Sequence, residues 1–389
     1  MPADTPPRRA RKPPPPGLDL TNQSPGPLPV SDTGSLRDGN VSLNMQGLRI
    51  SSDDSSASGV GQDDKQYIVM QREDMDVLRP LGEGTSGVVQ LVRHKPTDQL
   101  MALKIIPLGI AERERKQILQ ELRVLHRALV HGERADASVD SDAGGVASCG
   151  GEGGTREQQR VPSIISFFGA FYADGAIHIA LEYMECGSLH DALRRRGAID
   201  ERVLKGIATQ VLRGLHALQQ LKIVHRDVKP ANVLLNSVGD VKLADLGMCG
   251  ELANSFSRLR SWVGTAAYMS PERISGADYS FNSDVWSLGI SLWECATGRY
   301  PFGSADLTFW ELLHDIVEGD ALGDPLPNTP SLSVFLVQAL RRDPSERPDA
   351  SALLHHEWVR DRTPPPGTLQ AWVKEVVGAA PSAGIDLFE

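Results

Sequence analysis

The segment IVHRDVKPANVLL, residues 223–235, concentrates three kinds of polar side chain between apolar flanks. Asp227 is a carboxylate that could accept the proton of an attacking hydroxyl group. Lys229 could neutralise charge on a phosphoryl group during transfer, and Asn232 could bind a magnesium ion. Because these three side chains fall within a few positions of one another, the segment predicts phosphoryl-transfer chemistry.

The segment VKLADLG, residues 241–247, supplies a second oxygen ligand for a metal ion. Asp245 could hold a magnesium ion that bridges the phosphates of a nucleotide, and Gly247 would allow the backbone to turn after it. Asn232 and Asp245 are therefore the predicted metal ligands. Chance assembly of this ordered set of residues is negligible, so a purely structural role for them is not favoured.

The residues GEGTSGVV, 82–89, form a glycine-rich segment. This spacing alone is weak evidence, because a dinucleotide-binding fold uses the same letters to open a helix. Here the residues that follow, VVQLVRH, are typical of a strand, so the glycines are predicted to lie in a hairpin whose backbone amides fold over phosphates. A tight turn without a ligand is the alternative.

Lys104 lies in the apolar segment MALKII, where an unpaired ammonium group would be costly. Glu121, in the helical pattern QILQELRVL, is its predicted partner. The pair with Glu121 could hold the Lys104 ammonium group against the α- and β-phosphates of a nucleotide. A buried ion pair with a purely structural role is the alternative.

A small sheet followed by a larger helical region must position these residues, so the predicted fold class is α+β with two lobes. The strand-like segments are 77–84, 88–94, 101–108, 165–175 and 176–184, and the helical ones are 111–130, 188–196, 202–221, 283–298 and 332–342.

Residues 1–66 are predicted to be a flexible tail, because their composition is too poor in apolar residues to offset the entropy of ordering. Within the tail, residues 35–51 alternate apolar and polar side chains around an Asp-Gly pair, which indicates a small hairpin. Residues 131–160, rich in Gly, Ala, Ser and acids, are predicted to be a solvated insertion.

Composition excludes several classes of protein. The formal net charge is −10 and no broad basic stripe is present, which argues against nucleic acid or an anionic membrane as the main partner. The 4 cysteines have no zinc-like or disulfide-like spacing, which fits a reducing compartment. No run approaches the roughly 18 apolar residues of a membrane span, and the basic start of the sequence lacks the apolar stretch of a signal peptide. A cytoplasmic or nucleocytoplasmic protein is expected.

From about Met75 to Val359 the sequence resembles the eukaryotic protein kinases, on the segments HRDVKPAN and ADLG together with the glycine-rich segment and Lys104. The resemblance implies an N-lobe over 75–184, a C-lobe over 185–359, and the use of ATP and Mg²⁺. It makes Asp227 the catalytic base and Leu181 the residue before the adenine-binding hinge. The implied ATP-binding residues are Leu81, Gly82, Glu83, Gly84, Thr85, Ser86, Gly87, Val88, Val89, Ala102, Lys104, Glu121, Leu181, Glu182, Met184 and Leu234.

Two positions depart from the usual pattern of the kinases. Leu246 replaces the Phe of the D-F-G motif, which keeps an apolar residue for packing and leaves Asp245 in place. Ser270 stands in MSPER where Ala is usual. Glu272 is still expected to pair with Arg347, and Asp284 to brace the catalytic loop.

The segments 164–189 and 245–274 resemble the MAP kinase kinases, which phosphorylate both the Thr and the Tyr of a T-x-Y motif in a MAP kinase. This resemblance implies a downstream MAP kinase as substrate and an upstream MAP kinase kinase kinase as activator. The tail segment 34–51 resembles the region before the kinase domain of the plant-type members. The alternatives are a kinase-like scaffold without activity and a different serine/threonine kinase.

The segment NSFSRLRSWVGT, residues 254–265, contains the hydroxyls that would be phosphorylated during activation. Ser255 and Ser261 have the spacing of the plant-type members, and Ser257 with Ser261 has that of the animal type; the plant-type pair is favoured. A phosphate adds about −1.5 to −2 charges and could fix the loop to a cation such as Arg226. Thr265 resembles the residue that bonds to Asp227 and Lys229 in the active state.

Two terminal segments resemble docking sites. The cations Arg8, Arg9, Arg11 and Lys12 precede Leu18 and Leu20 across a proline-rich spacer, as in a peptide that docks to a MAP kinase. A basic, proline-rich tail without this role is the alternative. The C-terminal extension over 360–389 contains TLQAWVKEVV, an apolar helical face that could dock the upstream kinase or pack on the large lobe.

Overall fold

The computed structural model describes residues 36–38, 41–44, 47–50, 70–84, 87–107, 122, 163–246, 266–277, 280–302, 308–319, 329–361 and 365–378. The insertion predicted over 131–160 lies outside these ranges. The helix predicted over 111–130 also lies outside them, apart from Leu122, which is helical and buried.

The tail predicted to be flexible contains strands at residues 36–38, 41–44 and 47–50, so that prediction is wrong for these residues. Three antiparallel strands, β1 (Leu36–Asp38), β2 (Val41–Asn44) and β3 (Gly47–Ile50), form a sheet in which β2 is central. The β1–β2 pair is the hairpin that the Asp-Gly signal predicted. Leu43 is fully buried, because β2 and β3 lie against a strand of the N-lobe. That packing supplies the apolar contact that an isolated sheet of this size would lack.

The N-lobe is a five-stranded antiparallel sheet in the order β4-β5-β6-β8-β7. Its strands are β4 (Met75–Gly84), β5 (Gly87–His94), β6 (Gln99–Pro107), β7 (Phe167–Ala173) and β8 (Ala176–Glu182). Apolar side chains form a core on the sheet, among them Met75, Val92, Met101, Leu103, Phe168 and Phe171. The strands predicted from the sequence are confirmed.

The glycine-rich segment joins β4 to β5 as a hairpin, with Gly84 opposite Gly87. Gly87 has φ of +125°, and a Cβ atom there would lie 2.1 Å from the backbone oxygen of Ile105 on β6. Only glycine fits this close approach between strands. The hairpin itself is therefore confirmed. Binding of phosphates by its backbone amides, as against a tight turn without a ligand, stays a prediction.

The part of the C-lobe that the structure describes contains helices and one small sheet. The helices are α1 (Leu189–Arg196), α2 (Glu201–Gln220), α3 (Pro271–Ile274), α4 (Phe281–Thr297), α5 (Phe309–Glu318), α6 (Pro330–Ala339), α7 (Ala350–Leu354), α8 (Glu357–Arg360) and α9 (Thr368–Gly378). The antiparallel strands β9 (Val233–Leu235) and β10 (Val241–Leu243) follow α2 in the chain, and β10 contacts α2 and precedes Asp245. The α+β, two-lobed architecture agrees with the prediction.

Helix α2 is the centre of the C-lobe. Its apolar residues recur every three or four positions, so one face is buried, including Leu204, Ile207, Val211 and Leu215. Helices α4, α7, α8 and α9 all contact it. None of the helices in the described ranges is long and apolar enough to cross a bilayer.

Helix α9 packs its apolar face on the C-lobe through Val373 and Val376, which are 1% and 3% exposed. The side chain of Glu375 on the same helix pairs with Arg196 of α1 at 3.0 Å. Packing of this helix on the large lobe, one of the two alternatives from the sequence, is therefore confirmed. A docking role for this helix stays a prediction.

Replacing Val373 or Val376 with Ala should lower the free energy of unfolding by about 2 kcal/mol each, because each change removes buried methyl groups and leaves a cavity. Chemical denaturation measures this. Val334→Ala is the matched control, since Val334 is 52% exposed and its truncation should change stability by under about 0.5 kcal/mol. Equal stabilities of all three variants would show that α9 does not pack as described.

Candidate active site

The predicted catalytic residues of the segment 223–235 lie together in the structure. Asp227 is buried, and its Oδ2 atom lies 2.9 Å from the Lys229 ammonium group. The Asn232 side-chain amide donates to the same oxygen and to the Asp227 backbone oxygen, both at 2.8 Å. A short 3-10 helix, Pro230–Asn232, brings the amide back towards the carboxylate. The segment therefore holds the carboxylate of Asp227 in a fixed orientation.

The backbone before Asp227 is held by a carboxylate from α4. Asp284 accepts hydrogen bonds from the amide of His225 at 2.7 Å and the amide of Arg226 at 2.8 Å. Burial raises the pKa of Asp284, although these hydrogen bonds and His225 oppose the shift. Arg226 has φ of +73°, a left-handed conformation that a non-glycine residue rarely adopts, and Arg273 donates to its carbonyl oxygen at 2.9 Å. Asp284 thus braces the catalytic loop, as the sequence predicted.

Lys104 and Asp245 form an ion pair between the lobes. The Lys104 ammonium group lies 2.7 Å from Oδ1 of Asp245, and the Lys104 side chain is only 5% exposed. The adjacent ammonium lowers the pKa of Asp245, outweighing burial. Asp245 also has a left-handed backbone, with φ of +59°. The predicted partner of Lys104, Glu121, lies outside the described residues, so that pair stays a prediction.

Leu246, in place of the usual Phe, is 1% exposed and belongs to the apolar core. It therefore keeps a packing role at this position. Gly247, which follows it, lies outside the described residues.

The residues that the kinase resemblance assigns to ATP come from the N-lobe sheet, from the chain directly after β8 and from β9 of the C-lobe. Leu81, Gly82, Glu83, Gly84, Gly87, Val88 and Val89 are on the β4–β5 hairpin. On β6, Ala102 is opposite Leu181 of β8, and Lys104 is opposite Val89 of β5. Glu182 ends β8, Met184 follows it, and Leu234 comes from β9 in the C-lobe. Thr85 and Ser86 lie outside the described residues.

Asn232 and Asp245 fit a divalent cation. The Asn232 side chain points its NH₂ group at Asp227, so its amide oxygen faces away from that carboxylate. The amide of Ala244 donates to the Asn232 carbonyl at 2.9 Å, which places Asp245 next to Asn232. Within the described ranges no group of three or more His, Cys, Asp or Glu forms a metal cage. A pair of oxygen donors suits Mg²⁺, which keeps several waters and binds phosphate oxygens.

An ion pair between Glu272 and Arg347 lies inside the C-lobe. Arg347 is fully buried and contacts both carboxylate oxygens of Glu272, at 2.8 and 3.0 Å. Burial alone would raise the pKa of Glu272, but the hydrogen bonds and the positive charge of Arg347 together lower it below its ordinary value. This is the pair that the sequence predicted around MSPER. Ser270, the unusual residue of that segment, is buried beside it.

Several predicted functional residues lie outside the described part of the chain. These are the activation-segment residues Ser255, Ser257, Ser261 and Thr265, and the tail residues Arg8, Arg9, Arg11, Lys12, Leu18 and Leu20. The structure neither supports nor opposes their assignments.

Sequence reasoning missed two contacts of this region. Arg273 of α3 reaches the backbone of Arg226, and Lys242 of β10 pairs with Glu182. The second had a signal in the sequence, because Lys242 stands between Val241 and Leu243 in a short apolar strand. An unpaired ammonium group is costly in an apolar strand, so Lys242, like Lys104, needs an anionic partner. The sequence does not identify which acidic residue that partner is.

Comparisons with known proteins agree with the geometry. The protein kinase domain family matches residues 147–359. The chain is 36% identical over 338 residues to mitogen-activated protein kinase kinase 1c of Physcomitrium patens, covering 85% of this chain and 89% of that protein. It is 35% identical over 339 residues to mitogen-activated protein kinase kinase 2 of Arabidopsis thaliana, covering 85% and 84%.

An animal relative is similar to the same extent. The chain is 36% identical over 341 residues to dual specificity mitogen-activated protein kinase kinase dSOR1 of Drosophila melanogaster, covering 80% of this chain and 76% of that protein. Membership of the kinase family implies the use of ATP and a divalent metal ion. The arrangement of Asp227, Asn232, Lys104 and Asp245 and these similarities agree: the chain belongs to the protein kinases and, within them, to the MAP kinase kinases.

Proposed function

We propose that this chain transfers the γ-phosphoryl group of Mg²⁺-bound ATP to the Thr and Tyr hydroxyls of a T-x-Y motif in a MAP kinase. One observation carries the proposal: Asp227, held by Lys229 and Asn232, lies near the Lys104–Asp245 pair, because the amide of Ala244 donates to the backbone oxygen of Asn232. Family membership supports the substrate class, since the relatives are named dual specificity mitogen-activated protein kinase kinases. The proposed place of action is the cytoplasm or the cytoplasm and nucleus.

The residues of the cleft divide the reaction between them. Asp227 accepts the proton of the attacking hydroxyl while the hydroxyl oxygen bonds to the γ-phosphorus and the bond to the bridging oxygen of ADP breaks. Lys229 and Lys104 provide positive charge beside the phosphates. Asn232 and Asp245 would hold Mg²⁺, which would offset the negative charge of the phosphates.

Activation is proposed to depend on phosphorylation of Ser255 and Ser261, with Ser257 as the alternative to Ser255, by an upstream MAP kinase kinase kinase. Each phosphate would bring negative charge towards the cationic region at Arg226, whose backbone Arg273 and Asp284 already hold. The docking of a MAP kinase is proposed for the basic segment Arg8–Lys12 with Leu18 and Leu20. Neither proposal depends on the other.

An inactive scaffold is the second candidate, and the filled catalytic positions disfavour it. Lys104→Met and Asp227→Asn should each reduce kcat by about 10²–10⁴-fold, since one loosens phosphate positioning and the other removes the base. Lys95→Met, which alters an exposed side chain, should leave the rate unchanged. Radiolabel transfer measures all three. Full activity in either cleft variant, with unchanged folding by circular dichroism, would refute the assignments.

Substrate choice separates a MAP kinase kinase from another serine/threonine kinase. A Ser255→Asp/Ser261→Asp variant incubated with a panel of folded MAP kinases should modify both Thr and Tyr of the T-x-Y motif in at least one of them, as mapped by mass spectrometry. Short peptides of the same motif should be poor substrates, because they lack the folded surface. Efficient use of generic peptides, with no MAP kinase modified, would contradict the proposed substrate class.

A further inference from the structure

The carboxylate of Glu182 at the end of β8 is held by four polar contacts. The Lys242 ammonium group lies 2.8 Å from each of its oxygens. The hydroxyl of Ser166 donates to Oε2 at 2.7 Å, and the amide of Ser166 donates to the same atom at 3.1 Å. The side chains of Lys242 and Glu182 are only 10% and 15% exposed. These three residues, Ser166, Glu182 and Lys242, are called the hinge clamp below.

The hinge clamp joins three separate segments of the chain. Ser166 directly precedes β7, Glu182 ends β8, and Lys242 is the central residue of β10. Backbone hydrogen bonds reinforce the junction: the amide of Ile165 donates to Leu243 at 2.9 Å, and the amide of Glu182 donates to Ser166 at 2.9 Å. Backbone hydrogen bonds therefore join the same three segments that the side chains of the hinge clamp connect.

These segments carry opposite ends of the nucleotide site. Glu182 begins the stretch that the kinase resemblance assigns to adenine, and Met184 continues it. Lys242 precedes Asp245 by three residues in a short strand. A change in the clamp would therefore shift the base-binding stretch relative to Asp245 and its partner Lys104.

A contribution to folding stability does not by itself explain why Glu182 and Lys242 form a buried ion pair between β8 and β10. A buried ion pair contributes little relative to apolar residues of similar volume, although removal of one partner leaves a costly unpaired charge. Burial raises the pKa of Glu182, but the hydrogen bonds from Lys242 and Ser166 outweigh it and the net direction is downward. Glu182 is therefore ionised at neutral pH and holds Lys242 in a single, two-oxygen geometry.

We propose that Glu182 and Lys242 are positioning residues for the nucleotide: their ion pair fixes the adenine-binding stretch at the correct distance from Asp245. The inference rests on the proposed ATP-dependent function. Neither side chain touches the reacting atoms, so loss of the pair should act on nucleotide affinity more than on the chemical step.

The test compares Glu182→Gln, Lys242→Met and the double variant with the full chain that is otherwise wild type, and every chain carries Ser255→Asp and Ser261→Asp so that the kinase is active. Each single variant should raise KM for ATP, and the Kd of adenosine measured by calorimetry, by roughly tenfold, with kcat within about threefold of wild type, since a small misplacement weakens oriented binding. The double variant should regain thermal stability because no unpaired charge remains buried. Its KM should stay raised, because the clamp is still absent.

Matched controls come from the C-lobe. Lys205 is a buried lysine that donates to the Asp361 carbonyl at 2.6 Å, and Glu201 accepts from the Trp358 indole at 2.9 Å. Lys205→Met and Glu201→Gln should lower thermal stability without a change in KM, because a reduced folded fraction lowers the apparent kcat alone.

The outcomes separate this inference from the proposed function. Absence of both ATP binding and phosphoryl transfer in the Ser255→Asp/Ser261→Asp chain would refute both proposals. A wild-type enzyme that binds ATP, with KM within about twofold of wild type in both folded single variants, would overturn the hinge clamp and leave the kinase assignment intact. A double variant whose KM returns to the wild-type value together with its stability would also overturn it.

Discussion

Asp284 accepts hydrogen bonds from two consecutive backbone amides, those of His225 and Arg226, inside the C-lobe. A buried carboxylate is costly unless donors surround it, and buried amides are costly unless they have acceptors, so each satisfies the other. The two bonds hold Arg226 in a left-handed conformation and turn the chain so that Asp227 enters the cleft. The positions of Lys229 and Asn232 relative to Asp227 follow from this turn.

The cleft combines two carboxylate–lysine pairs, Asp227 with Lys229 and Asp245 with Lys104. Each lysine offsets a carboxylate that would otherwise repel an anionic nucleotide. One pair lies within the C-lobe segment, and the other joins β6 of the N-lobe to the chain after β10. A third ion pair, Glu182 with Lys242 of the hinge clamp, joins β8 of the N-lobe to β10 of the C-lobe. Two ion pairs, Lys104 with Asp245 and Lys242 with Glu182, thus connect the lobes.

Local sequence patterns predicted most of the elements and the catalytic set, because the residues concerned are close in the chain. The segment from Asp227 to Asn232 is one turn and one short helix, and its contacts follow from that spacing. Lys242 and Glu182 are 60 positions apart, so their pairing depends on how β8 and β10 meet. The tail is a second example. The alternation of apolar and polar residues and the Asp-Gly pair predicted the hairpin of β1 and β2. They did not predict that Leu43 is buried, because its burial depends on the packing of β2 and β3 against β7. The family resemblance, carried by short motifs, is confirmed by the comparisons.

Hydrogen exchange at the amides of His225 and Arg226 tests the central role of Asp284 most directly. If Asp284 holds the catalytic loop, both amides exchange slowly in the wild-type chain. In Asp284→Asn they should exchange roughly 10- to 100-fold faster relative to amides of α2, because one amide loses its acceptor at a cost of about 1–3 kcal/mol. Equal exchange of these two amides in the wild type and the variant would contradict the account.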